Sequence, residues 1–369
     1  MISGIHVAEL GAPGARMGQL ILDVPATINS LTVDMVGVIG DCLATWAQND
    51  EICMVWIEGA GDKGFCAGGD VQQLRESSLA NPGGPCSFAE NFFAREYEVD
   101  FQLHTFPKPV LTWGHGIVMG GGLGVFAAGS HRVVSERTRI AMPEIHIGLF
   151  PDVGAGQFLN AMPGHSGRFL ALTTTAMNAA DALWSGLGTH YLPHDQRDLV
   201  KDALLAATWT GGDAGQALVT RVLADFAAQG AQPEDSVLAL HAETIERWMS
   251  GDDLAEIVTR CVAYDGDDTY LQKARDAVAY ASPLAMRYAF EQLNRCRDRS
   301  LAEVFELELD LATHTMRYPE FAEGVRALLI DKDRSPKWAF SDLDAVPETL
   351  VAQMMSTPEN RESLKLKEL

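Results

Sequence analysis

Two acidic residues stand in an otherwise uncharged stretch of the sequence. Between Arg139 and Arg168 the only formal charges belong to Glu144 and Asp152, and a proline directly precedes each of them. Their neighbours are apolar, and no lysine or arginine close in sequence can neutralise them. Burial of an unpaired carboxylate raises its pKa toward the range useful for proton transfer. We therefore predict a catalytic acid pair; the structural alternative is that Glu144 caps a helix and Asp152 forms a turn.

Two glycine-rich segments precede this pair, and each follows a predicted strand. The first runs from Gly59 to Asp70 and the second from His115 to Gly124. Successive glycines allow a ligand to approach the main chain closely, so amide groups there can point into a cleft. Both segments also contain spacings of the dinucleotide fingerprint, and Glu144 lies where a ribose-binding acid would stand. A nicotinamide-dependent oxidoreductase and tight helix–strand packing without a ligand are therefore alternatives.

The elements that must position these residues alternate between strand and helix in the first half of the chain. Strands are predicted at 19–24, 52–57, 109–113 and 131–135, and helices at 32–49, 71–76 and 87–106. The predicted helix starts are N-caps at Thr32 and Asp70 and a capping box from Ser87 to Glu90. This recurrence predicts an α/β core with mostly parallel strands.

Helical patterns dominate after about Leu205. A second capping box runs from Ser300 to Glu303. We therefore divide the chain into a core at 1–205 and a mainly helical region at 206–369, packed on that core. The uncharged stretch from Pro109 to His131 is long enough to cross a membrane, but its seven glycines favour a buried strand, turn and helix.

Composition excludes several classes of function. The chain has 369 residues and a formal net charge of −22, which disfavours binding to nucleic acid or to an anionic membrane. The six cysteines are scattered without CxxC spacing, and neither HExxH nor a Cys/His cluster suggests a metal site. Reduced thiols and the lack of a signal peptide predict a cytoplasmic protein; a mitochondrial matrix location is the alternative.

Four segments, in this order, resemble the crotonase (enoyl-CoA hydratase/isomerase) superfamily. They are residues 65–70, 115–122, 141–154 and 323–338. The last two are similar to the branch that hydrolyses 3-hydroxyisobutyryl-CoA in valine catabolism, and the resemblance extends from about Leu20 to Trp338. It implies a crotonase-like core, a repeated ββα spiral that binds acyl-CoA, followed by a helical C-terminal region.

The resemblance also implies roles for individual residues. The main-chain amides of Gly69 and Gly121 match the family's oxyanion hole, which holds a thioester oxygen as it gains negative charge. Glu144 matches the catalytic glutamate and Asp152 the second acid of the hydrolases. Glu96 matches a substrate-binding position, together with Gly121, Glu144 and Asp152.

One departure separates the branches of the superfamily. The hydratases resemble GGG-x-E, whereas the corresponding residue here is Gly124, and Asp152 stands where hydratases usually have glycine. Thioester hydrolysis needs one group to attack or to activate water beside an oxyanion hole. The expected reaction is therefore hydrolysis of a short, branched 3-hydroxyacyl-CoA. An enoyl-CoA hydratase or isomerase and a non-enzymatic crotonase-fold scaffold are the alternatives.

Coenzyme A is part of the expected substrate, so no separate cofactor is predicted. Its phosphates need local cations in so acidic a protein. The candidate CoA-binding residues are Lys63, Ala67, Asp70, Lys332, Arg334 and Lys337. The expected partner is acyl-CoA, without nucleic acid or membrane, and a homo-oligomer is left open.

Overall fold

A computed structural model describes residues 4–209 and 212–366, which form nine strands and seventeen α-helices. The strands are β1 (Ile5–Leu10), β2 (Arg16–Leu22), β3 (Ile52–Gly59), β4 (Gly64–Cys66), β5 (Val110–Gly114), β6 (Ile117–Met119), β7 (His131–Val134), β8 (Arg139–Ala141) and β9 (His190–Tyr191). The helices are α1 (Val33–Ala47), α2 (Val71–Ala80), α3 (Ser87–His104), α4 (Gly121–Ala127), α5 (Ala155–Phe158), α6 (Ser166–Thr173), α7 (Ala179–Trp184), α8 (Arg197–Leu205), α9 (Asp213–Ala227), α10 (Val237–Leu240), α11 (Ala242–Met249), α12 (Leu254–Val262), α13 (Thr269–Tyr280), α14 (Pro283–Cys296), α15 (Leu301–Arg317), α16 (Pro319–Val325) and α17 (Glu348–Met354). A 3-10 turn at Glu144–Ile147 and a π-helical turn at Arg326–Ile330 also contribute to the site described below.

Two sheets are built alternately as the chain advances. The larger has the order β1-β2-β3-β5-β7-β9, and all its pairings except β1 with β2 are parallel; the smaller has the parallel order β4-β6-β8. The chain passes from β3 to β4, from β5 to β6 and from β7 to β8. These pairs lead into α2, α4 and the 3-10 turn. The predicted repeated ββα spiral with mostly parallel strands is confirmed.

The larger sheet is buried on both faces. Along β3, Val55 and Ile57 belong to the main core, whereas Met54 and Trp56 belong to a second apolar cluster with side chains of α8 and α9. A strand covered on both sides needs no polar face. This double burial explains the unbroken apolar run that begins at Ile52.

Most of the predicted helix starts are confirmed. The Thr32 hydroxyl accepts a hydrogen bond from the third residue of α1, and the Asp70 carboxylate accepts two from the first turn of α2. Ser300 and Glu303 form the predicted capping box at α15. Each cap satisfies amides that have no partner inside the helix.

The capping box predicted at Ser87 is wrong. Ser87 is the first residue of α3 and Cys86 is its N-cap, without a side-chain cap. The Glu90 carboxylate does reach back, but it accepts from the amide of Cys86 at 2.8 Å and pairs with Arg317 of α15. A tertiary ion pair thus ties this helix end to the C-terminal region.

The uncharged stretch from Pro109 to His131 forms β5, β6 and α4, as predicted. Among the described helices, none is long and apolar enough to cross a membrane. All six cysteines are unpaired. The division of the chain near residue 205 stays a prediction.

Candidate active site

One cavity of about 240 Å³ brings together the principal residues selected from the sequence. Its walls come from the segments before α2 and α4, the face of α3, the 3-10 turn and the π-helical turn. Gly69, Glu96, Gly121, Glu144 and Asp152 all line it. The spiral therefore places residues from four separate segments around one space. Their catalytic roles stay predictions.

The amides of Gly69 and Gly121 lie in the cavity wall, and neither donates a hydrogen bond within residues 4–209 and 212–366. Gly68 has φ +106°, and a Cβ built there would lie 3.4 Å from the nitrogen of Gly121. The loop before α2 therefore lies directly against the start of α4. Because Gly121 is the first residue of that helix, its amide has no intrahelical acceptor and lies at the positive end of the helix dipole. Two such amides suit a developing oxyanion.

Glu96 reaches the same wall from α3. Its Oε1 occupies the space that a Cβ on Gly121 would need, which explains why a glycine stands there. This oxygen has no hydrogen-bond partner in the described part of the chain. Burial raises the pKa of Glu96 well above its ordinary value, and nearby acids, Asp152 first, raise it further.

Glu144 begins the 3-10 turn and is buried. Its Oε1 would lie 3.4 Å from a Cβ on Gly120, and no hydrogen-bond partner within the described residues satisfies its Oε2. Burial, followed by the charge of Asp152, raises the pKa of Glu144 well above its ordinary value. The turn ends at Gly148, whose φ of +68° favours glycine. The carboxyl is thus held beside the amide loop with a lone pair free to react.

Asp152 is buried next to Glu144 and has one firm partner. The Tyr97 hydroxyl of α3 donates to its Oδ2 at 2.8 Å. Burial raises the pKa of Asp152 to about 7, although the Tyr97 hydrogen bond favours the charged form and opposes that rise. An acid with a pKa near neutrality can both hold and deliver a proton.

Two further buried acids were missed by the sequence analysis. Asp100 lies one helical turn beyond Glu96 on α3, and neither of its carboxylate oxygens has a hydrogen-bond partner among the described residues. Burial and then the charge of Asp152 raise its pKa well above the ordinary value. Glu308 of α15 accepts hydrogen bonds from the amides of Gly154 and Gly156, and burial raises its pKa to about 8. The i, i+4 spacing could have indicated Asp100, whereas no local pattern indicates Glu308.

These five acids have no cation to balance them. Within residues 4–209 and 212–366, none of them forms a salt bridge: Glu96, Asp100, Glu144, Asp152 and Glu308. Burial raises the pKa of each of these acids, and the charge of Asp152 raises the pKa of the other four further, so the group binds protons more strongly than exposed carboxyls do. The site can therefore store and exchange protons.

The residues predicted to bind CoA are only partly brought to this cavity. Ala67 lines it, whereas the Asp70 carboxylate is engaged as the N-cap of α2. The four predicted cations are exposed: Lys63, Lys332, Arg334 and Lys337. Their contact with CoA phosphates stays a prediction.

The space beside two glycines of the dinucleotide-like motifs is filled by other parts of the chain. A Cβ on Gly64 would lie 2.6 Å from the carbonyl oxygen of Ile117, and one on Gly122 would lie 2.5 Å from Cβ of Cys66. Glu144, considered as a ribose ligand, lies inside the cavity. The structure therefore gives the nicotinamide interpretation no support.

Curated proteins similar to this chain are named as hydrolases of a CoA thioester. A 3-hydroxyisobutyryl-CoA hydrolase of Danio rerio, named as mitochondrial, is 36% identical, over 95% of this chain and 90% of its own length. The Bos taurus protein of the same name is 34% identical, over 90% of this chain and 84% of its own length.

Solved structures carry different titles. A carnitinyl-CoA dehydratase from Mycobacterium thermoresistibile is 33% identical with a TM-score of 0.87, covering 98% of this chain and 99% of its own. An enoyl-CoA hydratase from Rhodobacter sphaeroides 2.4.1 is 32% identical with a TM-score of 0.83, covering 96% and 97%. The family model described as enoyl-CoA hydratase/isomerase matches residues 17–355. The chain therefore belongs to the enoyl-CoA hydratase/isomerase family, the crotonase family resembled by its sequence motifs.

Proposed function

We propose that this chain hydrolyses 3-hydroxyisobutyryl-CoA to the hydroxy acid and free CoA, a step of valine catabolism. The observation that carries the proposal is that one small cavity is lined by two amides and two buried acids, and that among the described residues the amides have no acceptor and the acids no cation. Relatives named as this hydrolase, 34–36% identical over most of the chain, support it. The acyl-CoA substrate supplies its own CoA.

A hydratase mechanism fits the cavity poorly, although two similar structures have dehydratase and hydratase titles. The hydratase motif places a second glutamate at the position of Gly124. A Cβ there would lie 2.5 Å from Oδ2 of Asp100 and 2.6 Å from Cβ of Val153. No side chain fits without movement of both, so position 124 cannot supply the second acid. Asp152 supplies a carboxyl from another segment.

The dimensions of the cavity suit a short acyl group. Its volume of about 240 Å³ corresponds to roughly eight water molecules at ~30 Å³ each. A branched four-carbon hydroxyacyl group fits such a space. Apart from the acids, the side chains that line the cavity are apolar, which suits the methyl branch.

The first chemical step places the thioester oxygen between the amides of Gly69 and Gly121. These donors stabilise the negative charge that develops as the carbonyl carbon becomes tetrahedral, and one such donor contributes about 3 kcal/mol. Glu96, beside Gly121, is placed to accept a hydrogen bond from the substrate hydroxyl. The reacting carbon then faces Glu144.

The reaction requires an ionised Glu144 and a protonated Asp152, and Glu144 can then act by two routes. As a nucleophile it attacks the carbonyl carbon, the C–S bond breaks, and water hydrolyses the resulting anhydride; as a general base it removes a proton from the attacking water. In both routes the sulfur leaves with the bonding electrons, and Asp152 gives it a proton. Tyr97 holds Asp152 in position for that transfer. The released acid and thiol account for all atoms of the thioester and one water.

The test is a panel of acyl-CoA thioesters assayed for free thiol, alongside hydration of crotonyl-CoA. We expect the highest kcat/KM for 3-hydroxyisobutyryl-CoA and no water addition to crotonyl-CoA. Hydration without thiol release would instead establish the hydratase alternative, and inactivity in both assays would favour the scaffold. Label in Glu144 after a single turnover in 18O-labelled water would establish the anhydride route, because general-base attack of water places the label only in the released hydroxy acid.

Other expectations from the sequence stay predictions. They are a cytoplasmic location, CoA binding by the exposed cations, and the oligomeric state. The relatives cited above are named as mitochondrial proteins, so the matrix remains the alternative location.

A further inference from the structure

The π-helical turn after α16 supplies part of the cavity wall. Leu328, which is half-buried, and Leu329, which is 36% exposed, line the cavity, whereas the next residue, Ile330, is 43% exposed and does not line it. π-helical turns are rare and are often found at functional sites, because the extra residue changes which side chains share a face. The turn therefore presents two adjacent leucines to the substrate space.

Arg326, the first residue of the turn, holds it in place. Its guanidinium binds the carboxylates of Glu323 at 2.8 Å, Asp331 at 2.6 Å and Asp333 at 2.7 Å, and also the carbonyl oxygen of Ser335. These partners lie on both sides of the turn in sequence. One planar cation thus clamps the end of α16 to the loop that follows.

The clamped turn is also fixed relative to the catalytic candidates. A Cβ on Gly324 would lie 2.5 Å from Cα of Ile147, the last residue of the 3-10 turn that begins with Glu144. The backbones of α16 and that turn are therefore in direct contact. The leucines consequently stand at a fixed distance from the Glu144 carboxyl.

We propose that Leu328 and Leu329, held by the Arg326 clamp, form the end wall of the acyl site and set the longest acyl chain that it accepts. The assignment rests on the proposed function for the substrate class. The cavity residues Val71, Leu74 and Ile147 are apolar like the two leucines. An acyl chain needs no hydrogen-bond partner, whereas the two amides of the pantetheine arm do.

The test compares 3-hydroxyacyl-CoA substrates of four and eight carbons in the Leu328→Ala and Leu329→Ala variants. Ile330→Ala is the matched control, because it removes an exposed aliphatic side chain of the same turn. We expect the kcat/KM ratio of the eight-carbon to the four-carbon substrate to rise about tenfold in each leucine variant and to be unchanged in the control. Arg326→Met should raise the same kcat/KM ratio by a smaller factor, because it loosens the turn but leaves both leucine side chains in place.

Binding of non-hydrolysable thioether analogues of both lengths, measured by calorimetry, separates this proposal from the proposed reaction. A shift in relative affinity toward the longer analogue supports the end wall even if no thiol is released from any substrate. An unchanged affinity ratio in both leucine variants overturns it. An equal loss of affinity for both lengths also overturns it, because the leucines would then contact the pantetheine arm.

Discussion

Buried carboxylates occur in two regions of this molecule with opposite surroundings. Glu58, at the end of β3, is buried, but Lys201 donates to its Oε1 at 2.6 Å and Arg197 lies 3.2 Å from its Oε2. Gln19 adds a third donor. The acids around the cavity, represented by Glu144, have no cation within the described part of the chain. The buried carboxylate of Glu58 is therefore paired with cations, whereas the acids around the cavity are not paired with any cation of the described residues.

The contrast distinguishes structural from functional acids. A buried charge without a partner is costly, so a fold normally pairs it or leaves it protonated. The cavity retains several buried acids that form no ion pair among the described residues. Residues that lower the stability of the fold in this way are expected at active sites. Substitution of a cavity acid should therefore lower activity without lowering stability, whereas substitution of Glu58 should lower stability without changing activity.

The largest effect is expected from Glu144→Gln. The amide keeps the size of the side chain but can neither attack a carbonyl carbon nor accept the proton of water. We expect kcat for 3-hydroxyisobutyryl-CoA to fall by at least about 10³-fold. Affinity for CoA, measured by calorimetry, should be retained. Turnover close to that of the wild type would remove Glu144 from the mechanism.

Gly121→Ala should have the next largest effect. The new Cβ would collide with the Glu96 carboxylate and displace either that side chain or the amide. Loss of one oxyanion donor predicts a decrease in kcat of about 10²-fold or more. Gly37→Ala is the control, because a Cβ there meets no atom within 4 Å. Equal kinetics of the two variants would contradict the proposed oxyanion hole.

Asp152→Asn should stabilise the protein while abolishing most activity. The pKa of Asp152 is about 7 in the folded chain and about 3.9 when unfolded. Between these values the unfolded chain binds fewer protons, so the stability of the wild type falls as pH rises. The variant lacks this penalty and should gain on the order of 4 kcal/mol at pH 8 and about 0.5 kcal/mol at pH 4. Urea denaturation at both pH values measures the difference; an equal gain at both would reject the linkage.

Glu58→Gln should act in the opposite direction. It leaves Lys201 and Arg197 beside a neutral amide, which we expect to reduce the free energy of unfolding by about 2 kcal/mol. This is less than for a fully buried pair, because both cations are partly exposed. The same urea experiment measures it, and kcat should be unchanged. A higher free energy of unfolding in Glu58→Gln than in the wild type would contradict the proposed difference between the two groups of buried acids.

Sequence reasoning succeeded where the signal was local. The α/β core with mostly parallel strands followed from the alternation of strand and helix patterns, whereas the ββα spiral was implied by the family resemblance. Glu144 and Asp152 were selected because no residue close in sequence neutralises them. The partners across helices were not predictable in this way. Tyr97 of α3 and Glu308 of α15 reach Asp152 and its loop from distant parts of the chain. The two helices pack together, and the ring centroids of Phe305 and Tyr97 lie 5.7 Å apart.

The errors have the same origin. Ser87 and Glu90 have the spacing of a capping box, but Arg317 from a distant helix takes the Glu90 carboxylate. The glycine spacings resemble a dinucleotide motif, but strand and helix backbones fill the space beside Gly64 and Gly122. A pattern of residue types does not specify which distant segment will occupy the space beside it.

The smallest predicted effect concerns the hydrogen bond that the Tyr97 hydroxyl donates to Asp152. Tyr97→Phe keeps the aromatic packing but removes the donor to Asp152. The pKa of Asp152 should then rise above about 7, since a hydrogen bond to the charged form is lost. We expect kcat to fall by about threefold to tenfold and its alkaline limb to move to higher pH, because Asp152 keeps its proton longer. The control variant Tyr270→Phe, whose side chain does not line the cavity, should change neither kcat nor the position of its alkaline limb. An unshifted alkaline limb in Tyr97→Phe would mean that Asp152 is not the group that protonates the leaving sulfur.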